Sequence, residues 1–253
     1  MGGVLELARL TRDDLGALGP ATTIVLPIGA TEQHGGHLPL GVDTLVAETV
    51  ARAALAACTP TAPLVLAPSL AYGRSDHHFG FPGVLSLRSE TLAAVLRDLA
   101  RSIGESGVSR LFVINGHGGN DAVLRAALAD VADAHPMTVG GAGYWTIAWD
   151  ALRAAGADET GPVPGHAGGF ETSLMLAIEE GLVRLDRRSG PDPRPAKDDP
   201  ASRIVFARHR AMHEVGGTSD DARHADAEVG RRLLEVIVAS VAEAIAEFQR
   251  RAT

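Results

Sequence analysis

The chain has 253 residues, 45% hydrophobic and 21% charged, with a formal net charge of −8. That balance excludes whole-chain disorder and disfavours binding to phosphate backbones, and the length supports a sizeable core without disulfides or a structural metal. The single cysteine, Cys58, excludes an internal disulfide and a thiolate metal site.

The N-terminus, Met1 to Glu6, has no basic stretch followed by an apolar run, and Glu6 breaks a myristoylation pattern. No apolar run reaches the ~18 residues needed to cross a membrane. The expected location is therefore the cytoplasm, with neither a membrane nor a nucleic-acid partner. Thr22–Ile28 is short, apolar and β-branched, which predicts a buried strand. Helical periodicity follows over Asp43–Ala57, and Cys58 directly after it reads as a small buried apolar residue. Leu64–Pro68 predicts a further buried strand. Ser89–Ser106 repeats apolar residues at helical spacing, opened by Ser89 with Glu90 and Thr91 and closed by Gly104 or Gly107. Arg110–Ile114 predicts another buried strand, Asp121–Ala134 a helix, Met137–Gly140 a short strand and Glu171–Glu180 a helix. Arg184–Ala201 is rich in proline and charge, which predicts a loop. Ala225–Phe248 is the longest helix, with one apolar stripe suited to core or subunit packing. Strands alternating with helices predict an α/β fold with a mostly parallel sheet.

Chemistry-bearing residues cluster where such strands end, the place where open α/β sheets collect ligands. The first cluster, Gly29 to Asp43, contains Glu32, His34, His37 and Asp43. In an extended segment, Glu32 and His34 point to the same side, offering a carboxylate and an imidazole to a divalent cation. Asp43 is either a helix N-cap or a third ligand; the neighbouring Glu-x-His favours the ligand. The second cluster, Asn115-Gly116-His117-Gly118-Gly119-Asn120, leads from a strand into a helix. It is not the Gly-x-Gly-x-x-Gly of a dinucleotide loop, and Asp121 would repel a phosphate, so His117 reads as an exposed ligand. The third cluster places His166 in a loop and Glu171 in a first helical turn, where a carboxylate can also serve only the helix dipole. In Ser75 to Gly83, the adjacent His77 and His78 should point apart, so at most one faces a site. Phe79 to Gly83 reads as a pocket wall or rigid turn. His135, His209, His213 and His224 read as surface or structural.

These motifs resemble the creatininase family of amidohydrolases. The likeness is carried by Glu32-Gln33-His34-Gly35-x-His37-Leu38-Pro39-Leu40 with Asp43, by Asn115 to Asn120, and by His166-Ala167-Gly168 with Glu171-Thr172-Ser173. Ser75-x-x-His78-x-x-Phe81-Pro82-Gly83 lies in order between them, and the similarity spans about Ile24 to Leu234. The resemblance implies a single three-layer α/β/α domain over residues 1–253. It implies two divalent ions (zinc, manganese or iron), a ring-like homo-oligomer such as a hexamer, and hydrolysis of cyclic amides, formamides or peptide-like bonds. It makes Glu32, His34, Asp43 and His117 metal ligands, with Asp43 bridging, and gives His166 a role in proton transfer. Creatininase proper has a Tyr-Glu pair at Gly118-Gly119, its glutamate a ligand, and a tryptophan just before the His-Ala-Gly motif. This chain has neither, so creatinine is disfavoured as its substrate, and Glu171 becomes the candidate fifth ligand and a second catalytic residue. His77 stands where many relatives carry glutamate.

The resulting expectation is a metal-activated hydroxide attacking an amide carbonyl, His166 passing a proton to the leaving nitrogen, and His78 and Trp145 lining the pocket. Three other readings stand beside it: a metal-dependent isomerase or lyase on a sugar-like substrate, a non-catalytic metal-binding scaffold, and, third, a nucleotide-binding protein.

Overall fold

The computed structural model describes residues 4–188, 190 and 211–252. Five strands form one parallel sheet: β1 (Leu5–Glu6), β2 (Thr23–Ile28), β3 (Leu64–Leu66), β4 (Arg110–Asn115) and β5 (Thr138–Gly143). Their order is β1-β3-β2-β4-β5. The helices are α1 (Arg12–Leu18), α2 (Val42–Ala57), α3 (Ser89–Glu105), α4 (Asp121–Ala134), α5 (Tyr144–Ile147), α6 (Trp149–Ala154), α7 (Gly169–Glu179), α8 (Ala211–Glu214) and α9 (Ala227–Arg251).

All residues of β2 and β4 are buried, because successive side chains enter two different cores. Val25, Phe112 and Ile114 pack with Val46 and Val50 of α2, Leu174 of α7 and Leu233, Ile237 and Val241 of α9. Ile24, Leu26, Leu111 and Val113 pack on the other face with Leu92 and Leu96 of α3 and Leu124 and Val131 of α4. The result is the expected three-layer α/β/α arrangement. No described helix is long and apolar enough to cross a membrane.

Several boundaries differ from expectation for local reasons. β1 spans two residues, too few to show a period. β5 begins one residue later than the expected Met137–Gly140 strand and runs on to Gly143; the Phe248 ring covers Gly140 and the strand pairs with β4 throughout. Ser89 does not cap α3: it is the first helical residue, and Arg88 precedes it without a side-chain cap. α9 starts after Asp226, whose carboxylate accepts from the backbone N–H groups of Glu228 and Val229 at 2.8 and 3.1 Å. Cys58 is half-buried rather than buried, its thiol 3.5 Å from the Ala242 carbonyl. The expected loop from Arg184 begins with a 3₁₀ turn at Leu185–Arg187; its Ser189 and residues 191–201, like His209, lie outside the described residues.

The sheet order places β3 on one side of β2 and β4 on the other. Segments leaving β2 and β4 therefore diverge, opening a crevice at their carboxyl ends.

Candidate metal centre at the carboxyl edge of the sheet

Each sequence-predicted ligand reaches this crevice from a different anchor. Glu32 and His34 lie in the irregular segment after β2, Asp43 in the first turn of α2, His117 just beyond β4 and Glu171 in the first turn of α7. A side chain at Gly116 would overlap the Asp43 carbonyl and come within 3.0 Å of Ala47, so glycine there lets α2 abut the end of β4. Asn115 and Asn120 hold the following loop. The Asn115 amide donates to the His117 carbonyl and to Asp121, both at 2.7 Å, and the Asn120 amide donates to the Gly29 carbonyl at 3.0 Å. Asn120 thereby ties the ends of β2 and β4 together.

The five side chains form two adjoining groups that share Asp43. On one side, His34 Nε2 lies 3.2 Å from Asp43 Oδ1 and 3.9 Å from Glu171 Oε2. On the other, His117 Nδ1 lies 3.2 Å from Asp43 Oδ2, and His117 Nε2 lies 3.4 Å from Glu32 Oε2. The donor atoms of His34, Asp43 and Glu171 all fall within 4.8 Å of one another; so do those of Glu32, His77 and His117, and those of Glu32, His34 and His166. Both oxygens of Glu32 and Oδ2 of Asp43 are buried without a hydrogen-bond partner, an arrangement that costs free energy unless a cation neutralises it. Each histidine also has a backbone carbonyl behind its other ring nitrogen: Glu32 O is 3.2 Å from His34 Nδ1, and Arg74 O is 3.0 Å from His117 Nε2. Metal-binding histidines characteristically give their second N–H to such an acceptor, so these residues fit a divalent metal.

The groups shift one another strongly. Burial alone would lower His34, but the charge and hydrogen bond of Asp43, with Glu171 and Glu32 behind, raise it to about 10. His117 is raised to about 9 by the same balance of burial against Asp43 and Glu32. Burial works against Asp43 ionising, yet His34 and His117 hold its carboxyl well below the usual carboxylate range. Glu171 is pushed up to about 7 by burial, with His34 opposing and Asp43 adding to the rise. His166 is driven well below its ordinary value by burial and by the nearby His34 and His78.

The sequence profile of the creatininase family, creatinine amidohydrolase, matches residues 8–245. The chain belongs to the creatininase family. It is 34% identical over 252 residues to the mycofactocin precursor peptide peptidase of Mycobacterium ulcerans, covering 96% of this chain and 91% of the relative. It is also 34% identical over 241 residues to the creatinine amidohydrolase of Pseudomonas putida, covering 88% of each. A solved mutant creatininase complexed with creatine superposes with a TM-score of 0.79 at 32% identity, covering 96% of this chain and 98% of that one. Solved creatininases also include a manganese form (TM-score 0.78, 30% identity, 96% and 98% covered) and a mutant of zinc–zinc type (TM-score 0.78, 31% identity, 97% and 98% covered). The chain is thus a hydrolase of the creatininase family.

In this creatininase-family chain, the cavity at the centre measures about 230 Å³ and is lined by Glu32, Asp43, His117 and Glu171 together with His78, His166 and Trp145. Pro164, Gly165, Met212 and Ser219 also belong to its wall. One expectation fails: His77 and His78 both line the cavity, their rings 4.2 Å apart. They sit in a 3₁₀ turn (Asp76–His78) whose tight winding does not splay neighbouring side chains to opposite faces as a strand does. Glu32 and His34 converge although their segment is not a strand. His37 turns aside, its Nε2 2.9 Å from Thr172 Oγ1. His213 stacks on Phe81 at 4.3 Å, and His135 and His224 lie away from the centre. At Gly119, a side chain would collide with the Arg74 carbonyl and the His117 ring. Sequence reasoning overlooked Gln33, which touches His78, His166 and the 211–220 segment. Its only signal was its place between two candidate ligands.

Proposed function

We propose that this chain hydrolyses a carbon–nitrogen amide-type bond of a small cyclic amide, formamide or peptide-like substrate at a two-cation centre. The observation that carries this reading is Asp43, whose two oxygens each face a different histidine at 3.2 Å. Asp43, Glu32 and His117 would hold one ion, and Asp43, His34 and Glu171 the other. Carboxylate and imidazole donors suit zinc, manganese and iron alike. When bound, the ions would make water nucleophilic at neutral pH and polarise the substrate carbonyl.

The protein supplies the rest. In hydrolysis the oxygen of water joins the acyl carbon, the carbon–nitrogen bond breaks, and one proton of water ends on the departing nitrogen. His166 carries that proton: its Nδ1 lies 3.6 Å from Glu32 Oε1, on the cavity side, and burial keeps the ring neutral and able to accept. Trp145, Pro164 and Met212 give the cavity an apolar wall against which a substrate would sit beside the carboxylates. We read the 253 residues as one domain and, by family likeness, as the subunit of a homo-oligomer.

The test combines metal analysis of the purified protein with incubation against creatinine, N-formyl compounds and short peptides. About two divalent ions per chain and release of amine or formate support the reading. A metal-free chain that hydrolyses these substrates at full rate contradicts it.

A further inference from the structure

Gln33 stands between two of the proposed ligands, yet its side chain turns away from both and lies only 5% exposed. The orientation of its amide is fixed by two backbone groups: Oε1 accepts from Gly35 N–H at 2.9 Å, and Nε2 donates to Gly217 O at 2.8 Å. One amide proton remains. Two ring nitrogens lie within its reach, His78 Nδ1 at 2.8 Å and His166 Nε2 at 3.0 Å.

The hydrogen-bond inventory decides between them. His166 Nε2 also lies 2.8 Å from the Gln33 carbonyl, which can only accept. A bare Nε2 would set lone pair against lone pair at that distance, so His166 Nε2 carries the proton and Nδ1 is bare. The second Gln33 proton then goes to His78 Nδ1. That nitrogen must be bare, so the neutral His78 ring carries its proton on Nε2, which faces Glu32 Oε1 at 3.1 Å.

We infer that Gln33 is a positioning residue that gives two histidines opposite roles, His78 turning an N–H toward the centre and His166 a bare, proton-accepting nitrogen. The two rings lie 4.3 Å apart and line the same cavity, so nothing in their distance from the centre tells them apart. The main-chain carbonyl of Gln33 sets His166 and its side-chain amide sets His78. Held as a donor, His78 presents no lone pair at Nε2 and is not a metal ligand, although it is as close to Glu32 as His117 is. The purpose assigned to the His166 acceptor rests on the hydrolytic reading above; the tautomers themselves do not.

Nitrogen-15 NMR of histidine-labelled protein reads both tautomers directly, with peaks assigned through His78→Gln and His166→Gln. In the unsubstituted protein, the expected pattern is Nε2–H for both rings. Either ring found with its proton on Nδ1 overturns the inference, and this measurement needs no altered protein. Gln33→Met removes the donor at similar volume; His78 should lose its pure Nε2–H signature while His166 keeps it and zinc content is retained. Gln33→Glu places an acceptor opposite His78 Nδ1 and should draw the proton there. Unchanged His78 signals in either folded variant overturn the inference. Zinc content is measured separately: a chain that binds no zinc but shows both tautomers sinks the two-cation reading and leaves this one standing.

Discussion

Asp43→Ala is the sharpest perturbation of the centre, because one side chain touches both groups of donors. A zinc site with four protein ligands is worth about 10–16 kcal/mol, so one ligand carries roughly 2.5–4 kcal/mol. At 1.4 kcal/mol per factor of ten, that is about 10²–10³-fold in affinity. Asp43 is shared, so the loss should fall on both ions rather than one, whereas His34→Ala or His117→Ala should weaken one ion more than the other. Competition against a chromophoric chelator gives the affinities, and elemental analysis after dialysis gives the stoichiometry. Asp43→Asn keeps the shape of the first turn of α2 and controls for a folding defect, as does circular dichroism of each variant. Two zinc ions bound by Asp43→Ala with unaltered affinity would refute the bridging assignment.

Other outcomes follow from the same geometry. In metal-depleted protein, His34 and His117 have folded values of about 10 and 9, raised above the ordinary 6.5, so their contribution to stability is complete below about pH 6.5 and lost as pH climbs to 10. Glu171, raised from 4.5 to about 7, acts in the same direction at lower pH. The melting temperature of the chelated protein should therefore fall between pH 7 and 10, and that of the zinc-loaded protein should change less; a chelated protein that gains stability over that range contradicts the pairing. Gly116→Ala should cost about 1–3 kcal/mol through overpacking against Asp43 and Ala47, or several degrees in a thermal melt, together with weaker zinc binding. Trp145→Ala enlarges the cavity wall without removing a donor, so it should raise KM for any substrate that turns over while zinc content stays constant.

Much of this molecule was legible in its sequence, and the reason is physical. β2 and β4 are buried on both faces, which writes them as unbroken apolar runs, and a glycine-containing turn follows each. Side chains placed at such strand ends converge wherever the chain goes in between, and the family resemblance had already named Glu32, His34, Asp43 and His117 as one set. The misses share a cause as well. β5 runs past the expected Met137–Gly140 strand to Gly143, because its glycines make room for a ring from α9, more than a hundred residues later. The paired placement of His77 and His78 depends on a 3₁₀ turn that no periodicity announces. Gln33 acts through backbone groups and rings brought from residues 78, 166 and 217, partners that sequence spacing cannot reveal.

The cavity draws on two kinds of material. Four of the five charged donors ride on the ends of β2 and β4 or on the helix wedged against them, a frame fixed by the deepest packing in the protein. Trp145, Pro164, Met212 and Ser219 arrive instead on segments that follow β5. The wall residues can thus vary while the donors of the frame stay put, which suits a family whose members a third identical to this chain are named for substrates as unlike as creatinine and a precursor peptide. An engineer seeking a new specificity would vary Trp145, Pro164, Met212 and Ser219 and leave the frame, with His166 and Glu171, alone.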